Sequence, residues 1–421
     1  MMRRILLLAL LVVFVSPPAS GQLAVRGRKV YTMAGPVVED GIVIIREGKI
    51  SAIGKAADIA VPDGFKVLEA AVVTPGLIDA HSVVGLAGYF NHQHDQDQLE
   101  RSSPIQPELR AIDSYNTREP LIEWVRGYGV TTLHTGHAPG ELISGQTMIV
   151  KTRGNTVDEA ILVPTAGIAL TLGPSSMRGG GKSPGSRGKQ MAMLRAKLLE
   201  AKAYMEGLEK AAEAPGKKKE EKAEGKEEKK SARPPVNLAL EALSSALRRE
   251  VPLVITAHRA QDIATALRLK REFDLRIILD GAAEAYLLTE ELKKADVPVI
   301  IHPSMARFHG EMENASFETA SLLKKAGIRV TIQSGYESYV PKTRVVLFEA
   351  AVAAANGMGF EGALELITSS AADVLGISKR VGSLAVGKDG DLALFDGDPF
   401  EYSTHCIGTV IEGQVVSDSK R

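Results

Sequence analysis

"VPLVITAH" (251–258), "LRIILD" (275–280) and "VPVIIH" (297–302) decide the fold. Each is a short aliphatic run, rich in β-branched residues, that closes on a polar side chain, as a buried strand does. The closing residues His258, Asp280 and His302 stand 22 residues apart at each step. That interval holds one strand, one turn and one helix, the repeat of a β-α unit. Helical stretches from Gln261 and from Ala282 to Lys294 fill the intervals. "IRVTIQSG" (328–335) continues the series ahead of a helix expected over Arg344–Asn356. Earlier strands are expected at 72–80, 129–134, 147–152 and 165–172. The pattern predicts parallel strands, closed as a barrel or laid in an open sheet.

Outside this middle, both ends of the chain have a different texture. "GIVIIREGKISAIG" (41–54) alternates apolar and polar residues around a turn at Glu47-Gly48-Lys49, which is a hairpin signal. From Val381 onward, "GSLAVGKDGDLALFDGDP" and "GTVIEGQVV" read the same way. Residues 22–72 and 381–421 are therefore expected to pair into one small β-domain around a barrel spanning 73–380. An insertion at about 174–236 interrupts it. Its first part is rich in Gly, Ser and basic residues, a helix follows over Met191–Ala212, and "PGKKKEEKAEGKEEKKSARPP" (215–235) has too few apolar residues to bury a core and is expected to be flexible.

The first 21 residues read as a signal peptide: a basic Met1-Met2-Arg3-Arg4, an apolar run from Ile5 to Val15, and small residues at Ala19 and Gly21 before cleavage ahead of Gln22. The apolar run falls short of a spanning helix. An exported chain is expected, periplasmic or extracellular, with no stable membrane insertion after cleavage. In the whole sequence 51 basic residues balance 51 acidic ones, so nothing points to nucleic acid as a partner. The expected partner is a small-molecule substrate, and a homo-oligomer is compatible with the sequence. One cysteine, Cys406, excludes an intrachain disulfide and the cysteine-rich zinc sites, so any metal would be held by His, Asp and Glu. No G-x-S-x-G elbow is present, and "RGGGKS" lies in the insertion rather than between a strand and a helix.

"VVTPGLIDAH" (72–81), "GVTTLHTGHAPGELISGQ" (129–146), "ITAHRAQDIATALRL" (255–269) and above all "ITSSAADVLGISKRVGSLAVGKDGDLALFDGDP" (367–399) resemble the amidohydrolase superfamily, most closely its imidazolonepropionase-like branch. The resemblance covers most of the chain. It implies an α/β fold, a distorted (β/α)8 TIM barrel with a small β-sandwich domain built from both chain ends, and chemistry at the C-terminal ends of the strands. It also implies hydrolysis of a C–N bond by metal-activated water, with an aspartate after the eighth strand moving the proton.

Set against that pattern, the ligand set is incomplete. The first-strand His-x-His becomes His81 and Val83. Ala169 stands where many members carry a bridging lysine, and no carboxylate precedes Glu337 at the eighth strand. His81 and His258 remain. A relocated site made of His81, His258, Asp280 and His302 is one expectation, with a divalent ion, zinc first, present as one ion or none. Asp280 and Glu337 are the candidate catalytic carboxylates, and His134, His137 and Arg259 the candidate substrate contacts. Plainer readings stand beside these. Asp280 could cap the helix after it. His302, before Pro303, could be structural, Glu337 could belong to an ordinary loop, and one or both of His134 and His137 must lie in a loop. His92 and His94 form an H-x-H in a polar run that reads as a loop over the barrel mouth.

Two functions follow: an exported metal-dependent hydrolase of a non-peptide C–N bond in a small, possibly cyclic, amide, or a catalytically inactive barrel of the same family with a binding or structural role. A peptidase is a third; Arg259 or Lys342 would then receive a free carboxylate.

Overall fold

A computed structural model describes residues 22–90, 92–213, 234–301, 309–336 and 345–421. The signal-peptide segment, nearly all of the charged run at 215–235, His302, Glu337 and Lys342 lie outside them. Among the described residues no helix is long and apolar enough to cross a membrane.

Two sheets organise the chain. The first has seven strands, β1 (Leu23–Val30), β2 (Val38–Arg46), β3 (Lys49–Lys55) and β4 (Lys66–Pro75) from one end and β13 (Leu392–Phe395), β14 (Cys406–Ile411) and β15 (Gln414–Ser417) from the other, in the order β15-β14-β13-β4-β1-β2-β3. The expected hairpin joins β2 to β3. Its turn places Glu47 at φ +49° and Gly48 at φ +78°, two left-handed residues in a row, which matches the twist of the flanking strands.

The second sheet has eight strands in sequence order: β5 (Leu77–Ser82), β6 (Val130–Thr135), β7 (Ile143–Lys151), β8 (Ile161–Thr171), β9 (Leu253–Ala257), β10 (Ile277–Gly281), β11 (Val299–Ile301) and β12 (Val330–Ile332). A parallel bridge from Ser82 to Gly335 brings its two edges together, so the sheet closes as a barrel rather than lying open. Strands β9 and β10 are buried on every residue, because helices cover one face and the barrel interior the other. Helices outside β9 to β12 supply the other half of this core, through residues such as Leu267, Leu292 and Leu323 packed with Ile255, Leu279 and Val299.

The expectation of uniformly parallel strands needs one correction. β7 runs antiparallel to both β6 and β8. Only residues 136–142 connect β6 to β7, too short a link for a crossover helix, so the chain turns back as a hairpin. One further difference is local. Gly281 and Ala282 both adopt left-handed φ, +77° and +47°, which turns the chain sharply out of β10 and delays the next α-helix to Thr289–Ala295. The helix expected over Met191–Ala212 is present as Arg187–Glu213 and buries Leu194, Leu198 and Ala201, spaced four and three apart, in the main core beside Leu240 and Leu243.

Candidate functional site

Polar side chains converge at the C-terminal end of the barrel. Asp280 is the penultimate residue of β10 and fully buried. Its cross-strand neighbour on β9 is Thr256, whose hydroxyl donates to Oδ2 at 2.8 Å; Gln333, just past β12, donates from Nε2 to Oδ1 at 2.7 Å. Facing Oδ2 is Nδ1 of His81 at 3.1 Å, with the imidazole side chain 1% exposed. These contacts decide between the two readings of Asp280. It points into the barrel and does not cap the following helix.

His81 is packed on two sides by rings. His134 stacks on it with centroids 5.0 Å apart, and Tyr336 meets it edge-on at 5.5 Å. His134 lies on β6, and both its nitrogens are occupied. Ala80 O can only accept, so Nδ1 carries the proton and donates to it at 2.6 Å; Nε2 then accepts from the Thr147 hydroxyl at 2.7 Å. Burial, with a smaller push from His81, drives the His134 pKa down to about 3, so the ring is neutral. With both nitrogens taken, His134 shapes the site around His81 and has none to offer a substrate.

The ladder between β5 and β6 slips register between Asp79 and Ser82, so simple alternation does not govern residues 79–83. Val83 lies past the end of β5. It packs with Ala87 and Ala138, against which Leu99 and Tyr336 lean. Asp79 holds the barrel's closing seam, accepting from the Ser334 backbone N–H at 3.1 Å and from the Ser334 hydroxyl. Burial raises its pKa from 3.8 to about 6, partly offset by those hydrogen bonds.

This shift has a measurable consequence. A carboxyl with a raised folded pKa adds its full stability below its unfolded pKa and loses it as pH rises through the folded value. Asp79 should therefore cost the fold on the order of 3 kcal/mol between about pH 4 and pH 7. Urea denaturation at pH 5 and pH 7.5 is expected to show a fall in stability that is largely absent in Asp79→Asn; parallel pH profiles for the two proteins would rule this out.

The remaining sequence candidates are distributed as follows. His258 follows β9 with its ring over Gly281, where a methyl group would come within 2.6 Å of Cε1, so a glycine is required there. Arg259 starts the helix Ala260–Phe273 and is paired with Glu284 and Glu313 at 3.3 and 2.8 Å. His137 lies in the loop after β6, buried to 4% exposure. His92 and His94 stack on each other at 5.4 Å on an exposed 3-10 turn, away from the barrel interior.

The relocated metal set is not assembled among the described residues, where no three His, Cys, Asp or Glu side chains come together in an arrangement that would hold an ion. The physical reason is competition. Both oxygens of Asp280 accept hydrogen bonds from Thr256 and Gln333, and the carboxylate faces His81 as its partner. His302, the fourth member of that set, lies outside the described residues.

The polar groups gather at the C-terminal strand ends, where TIM-barrel enzymes place their active sites. The Amidohydrolase family model matches residues 314–417. Amidohydrolase tasK of Hapsidospora irregularis is 22% identical over 394 residues, which is 91% of this chain but 40% of that protein. An imidazolonepropionase of Rhizorhabdus wittichii is 43% identical over 68 residues, 15% of this chain and 17% of its own. The chain thus spans well under half the length of the first of these curated relatives. Among solved structures, an amidohydrolase from Thermotoga maritima aligns with a TM-score of 0.85 and 26% identity over 94% of this chain and all of the other. An adenosine deaminase from Xanthomonas campestris, solved with bound zinc, shares the fold at TM-score 0.52 and 16% identity over 95% and 93% of the two chains. These likenesses support the amidohydrolase superfamily as what this chain is similar to, in its fold and over its C-terminal segment.

Several residues of the site carried little or no sequence signal. Thr256 lies on β9 two residues before His258, which follows the strand. Gln333 and Ser334 sit in "IQSG", where attention goes to the absent aspartate. Asp79 is inside the motif that identifies β5, but its contact with Ser334 joins the first and last barrel strands and has no local trace.

Proposed function

We propose that this protein hydrolyses a non-peptide C–N bond of a small molecule, with His81 as the general base and Asp280 as the group that positions it. The observation that supports this reading is the buried His81–Asp280 pair, whose carboxylate is fixed by two further donors, Thr256 and Gln333. A carboxylate held in this way orients the imidazole and sets its tautomer. Nδ1 faces Asp280, which leaves Nε2 to take a proton from water as it attacks the carbonyl or amidine carbon. The same proton then passes to the leaving nitrogen as the C–N bond breaks. Similarity to an imidazolonepropionase over 68 residues supports a cyclic amide or amidine-like substrate. Export belongs to the same reading and rests on residues 1–21 of the sequence.

A second reading, a barrel that binds without reacting, draws on the apolar packing of Val83, Ala87, Ala138, Leu99 and Tyr336 beside a His81 that is 1% exposed. The test is a hydrolysis screen on cyclic amides and dipeptides with the chain from Gln22, alongside metal analysis of protein purified without tag or chelator. Turnover lost in His81→Ala and kept after chelator dialysis supports the His81 mechanism. Metal at one equivalent, lost in His258→Ala together with turnover, returns the chemistry to the four-residue metal site. No turnover on any compound, with or without added zinc or manganese, favours the binding barrel.

A further inference from the structure

Beside the barrel mouth, the segment before the helix Pro120–Arg126 and the loop after β6 enclose a cleft of about 290 Å³. Asp97, Glu100, Glu108 and Asp113 line it together with a single guanidinium, Arg110, and His137. The Arg110–Asp113 approach is only 3.9 Å between exposed side chains, so it neutralises little. With a neutral imidazole, four carboxylates against one guanidinium leave the cleft strongly negative.

Two buried polar groups in this lining have no hydrogen-bond partner among the described residues. One is the His137 ring, at both nitrogens; the other is Oε2 of Glu108. Buried polar atoms in folded proteins are nearly always paired, so two orphans in one cleft point to a ligand that completes them. The protein also makes room for the imidazole. Gly145, at φ +140°, lies so close that a Cβ there would sit 2.3 Å from His137 Cδ2.

We propose that this cleft binds an organic monocation, a primary ammonium or guanidinium group on a short apolar stem. Such a group brings several N–H donors and no acceptor. The cleft offers the complement: the carboxylates, Oε2 of Glu108 and the lone pair of a neutral His137. The apolar stem has Leu99 to lie against, a residue that lines the cleft and on its other side packs on the Val83 cluster. Leu99 is thus the wall between this cleft and the His81–Asp280 pair, and binding here does not depend on the chemistry proposed for that pair. Its size suits a stem of a few carbons rather than a large ligand. A bare metal ion is a poor match, because no three of its His, Asp and Glu side chains come together in an arrangement that would hold one.

The test is titration calorimetry of the full chain with n-butylammonium, n-butylguanidinium and, as the neutral isostere, n-butanol. Saturable binding of the two cations, at least tenfold weaker for butanol, is expected. Glu108→Gln and the surface variant Asp97→Asn should each weaken cation binding, Glu108→Gln by about tenfold. Asp280→Asn should bind the cations as the unaltered protein does, which separates this site from the barrel pair. Added salt should reduce the affinity. Equal binding of butanol and butylammonium overturns the proposal. So does the absence of a saturable response to either cation at roughly 10 mM, or affinity unchanged in both Glu108→Gln and Asp97→Asn.

Discussion

Lys151→Met should destabilise the protein by about 3–5 kcal/mol at neutral pH, the cost typical of removing one partner from a buried ionic cluster. Lys151 ends β7, in the barrel wall, and its side chain is 3% exposed. Its ammonium lies 2.6 Å from Asp389, 3.0 Å from Asp391 and 2.9 Å from Glu412, all contributed by the C-terminal segment that runs into the seven-stranded sheet. Burial alone would lower the lysine pKa, yet the three carboxylates raise it above its ordinary value. Burial alone would likewise raise Asp389, but Lys151, Lys49 and Arg380 hold it at about 2. Methionine keeps the stem's volume and deletes the charge, so buried Asp391 loses its cation, while Asp389 keeps Lys49 and Arg380 and Glu412 keeps Arg153 and Arg380.

The pH dependence identifies the cause. In the unaltered protein Asp389 has a depressed folded pKa. Its contribution is present above its ordinary value of 3.8 and is lost as pH falls towards about 2. In Lys151→Met the buried Asp391 loses its cation and Asp389 loses one of three, so their folded pKa values rise and acid relieves them. The stability gap between the two proteins should be widest near pH 7 and narrow towards pH 4.5. Urea midpoints at the two pH values measure it, and a gap independent of pH would mean that packing, not charge, is what Lys151 supplies.

Asp280→Asn should reduce kcat by about 10²- to 10⁴-fold, the range associated with losing a general base's function, with a smaller change in KM. Asparagine keeps the shape but not the charge that pairs with His81 Nδ1. Its amide NH2 must also face either the Thr256 hydroxyl or the Gln333 amide, both of which donate to the carboxylate. Thr256→Ser, which preserves the donor, should retain most activity and serves as the positive control. Near-native circular dichroism with kcat within threefold of the unaltered protein would remove Asp280 from the mechanism.

Much of the barrel was legible because it repeats. The aliphatic runs ending at His258 and Asp280 correspond to β9 and β10, and each closing side chain stands at or next to the C-terminal strand end. The hairpin at Glu47-Gly48 and the pairing of the two chain ends were equally local in their cues. What could not be read was set by partners far away in sequence. Whether Asp280 capped a helix or faced inward depended on Gln333, 53 residues later, and on His81, 199 residues earlier. The reversal of β7 and the register slip at Asp79–Ser82 likewise follow from loop length and strand closure, which hydrophobic periodicity does not encode.

The seven-stranded sheet also sets a timetable. β4 is covered on one edge by β1 as soon as both are made, but its other edge waits for β13, where Leu394 lies opposite Val73. The ribosome must add the whole barrel in between, so at ordinary elongation rates that edge stays bare for roughly 15 to 60 seconds. An unpaired strand is a template for pairing with another chain. The nascent protein is therefore most exposed to misassembly at its N-terminal end and late in translation. Agents that shield strand edges should raise the yield of the full chain more than agents that act on the finished fold.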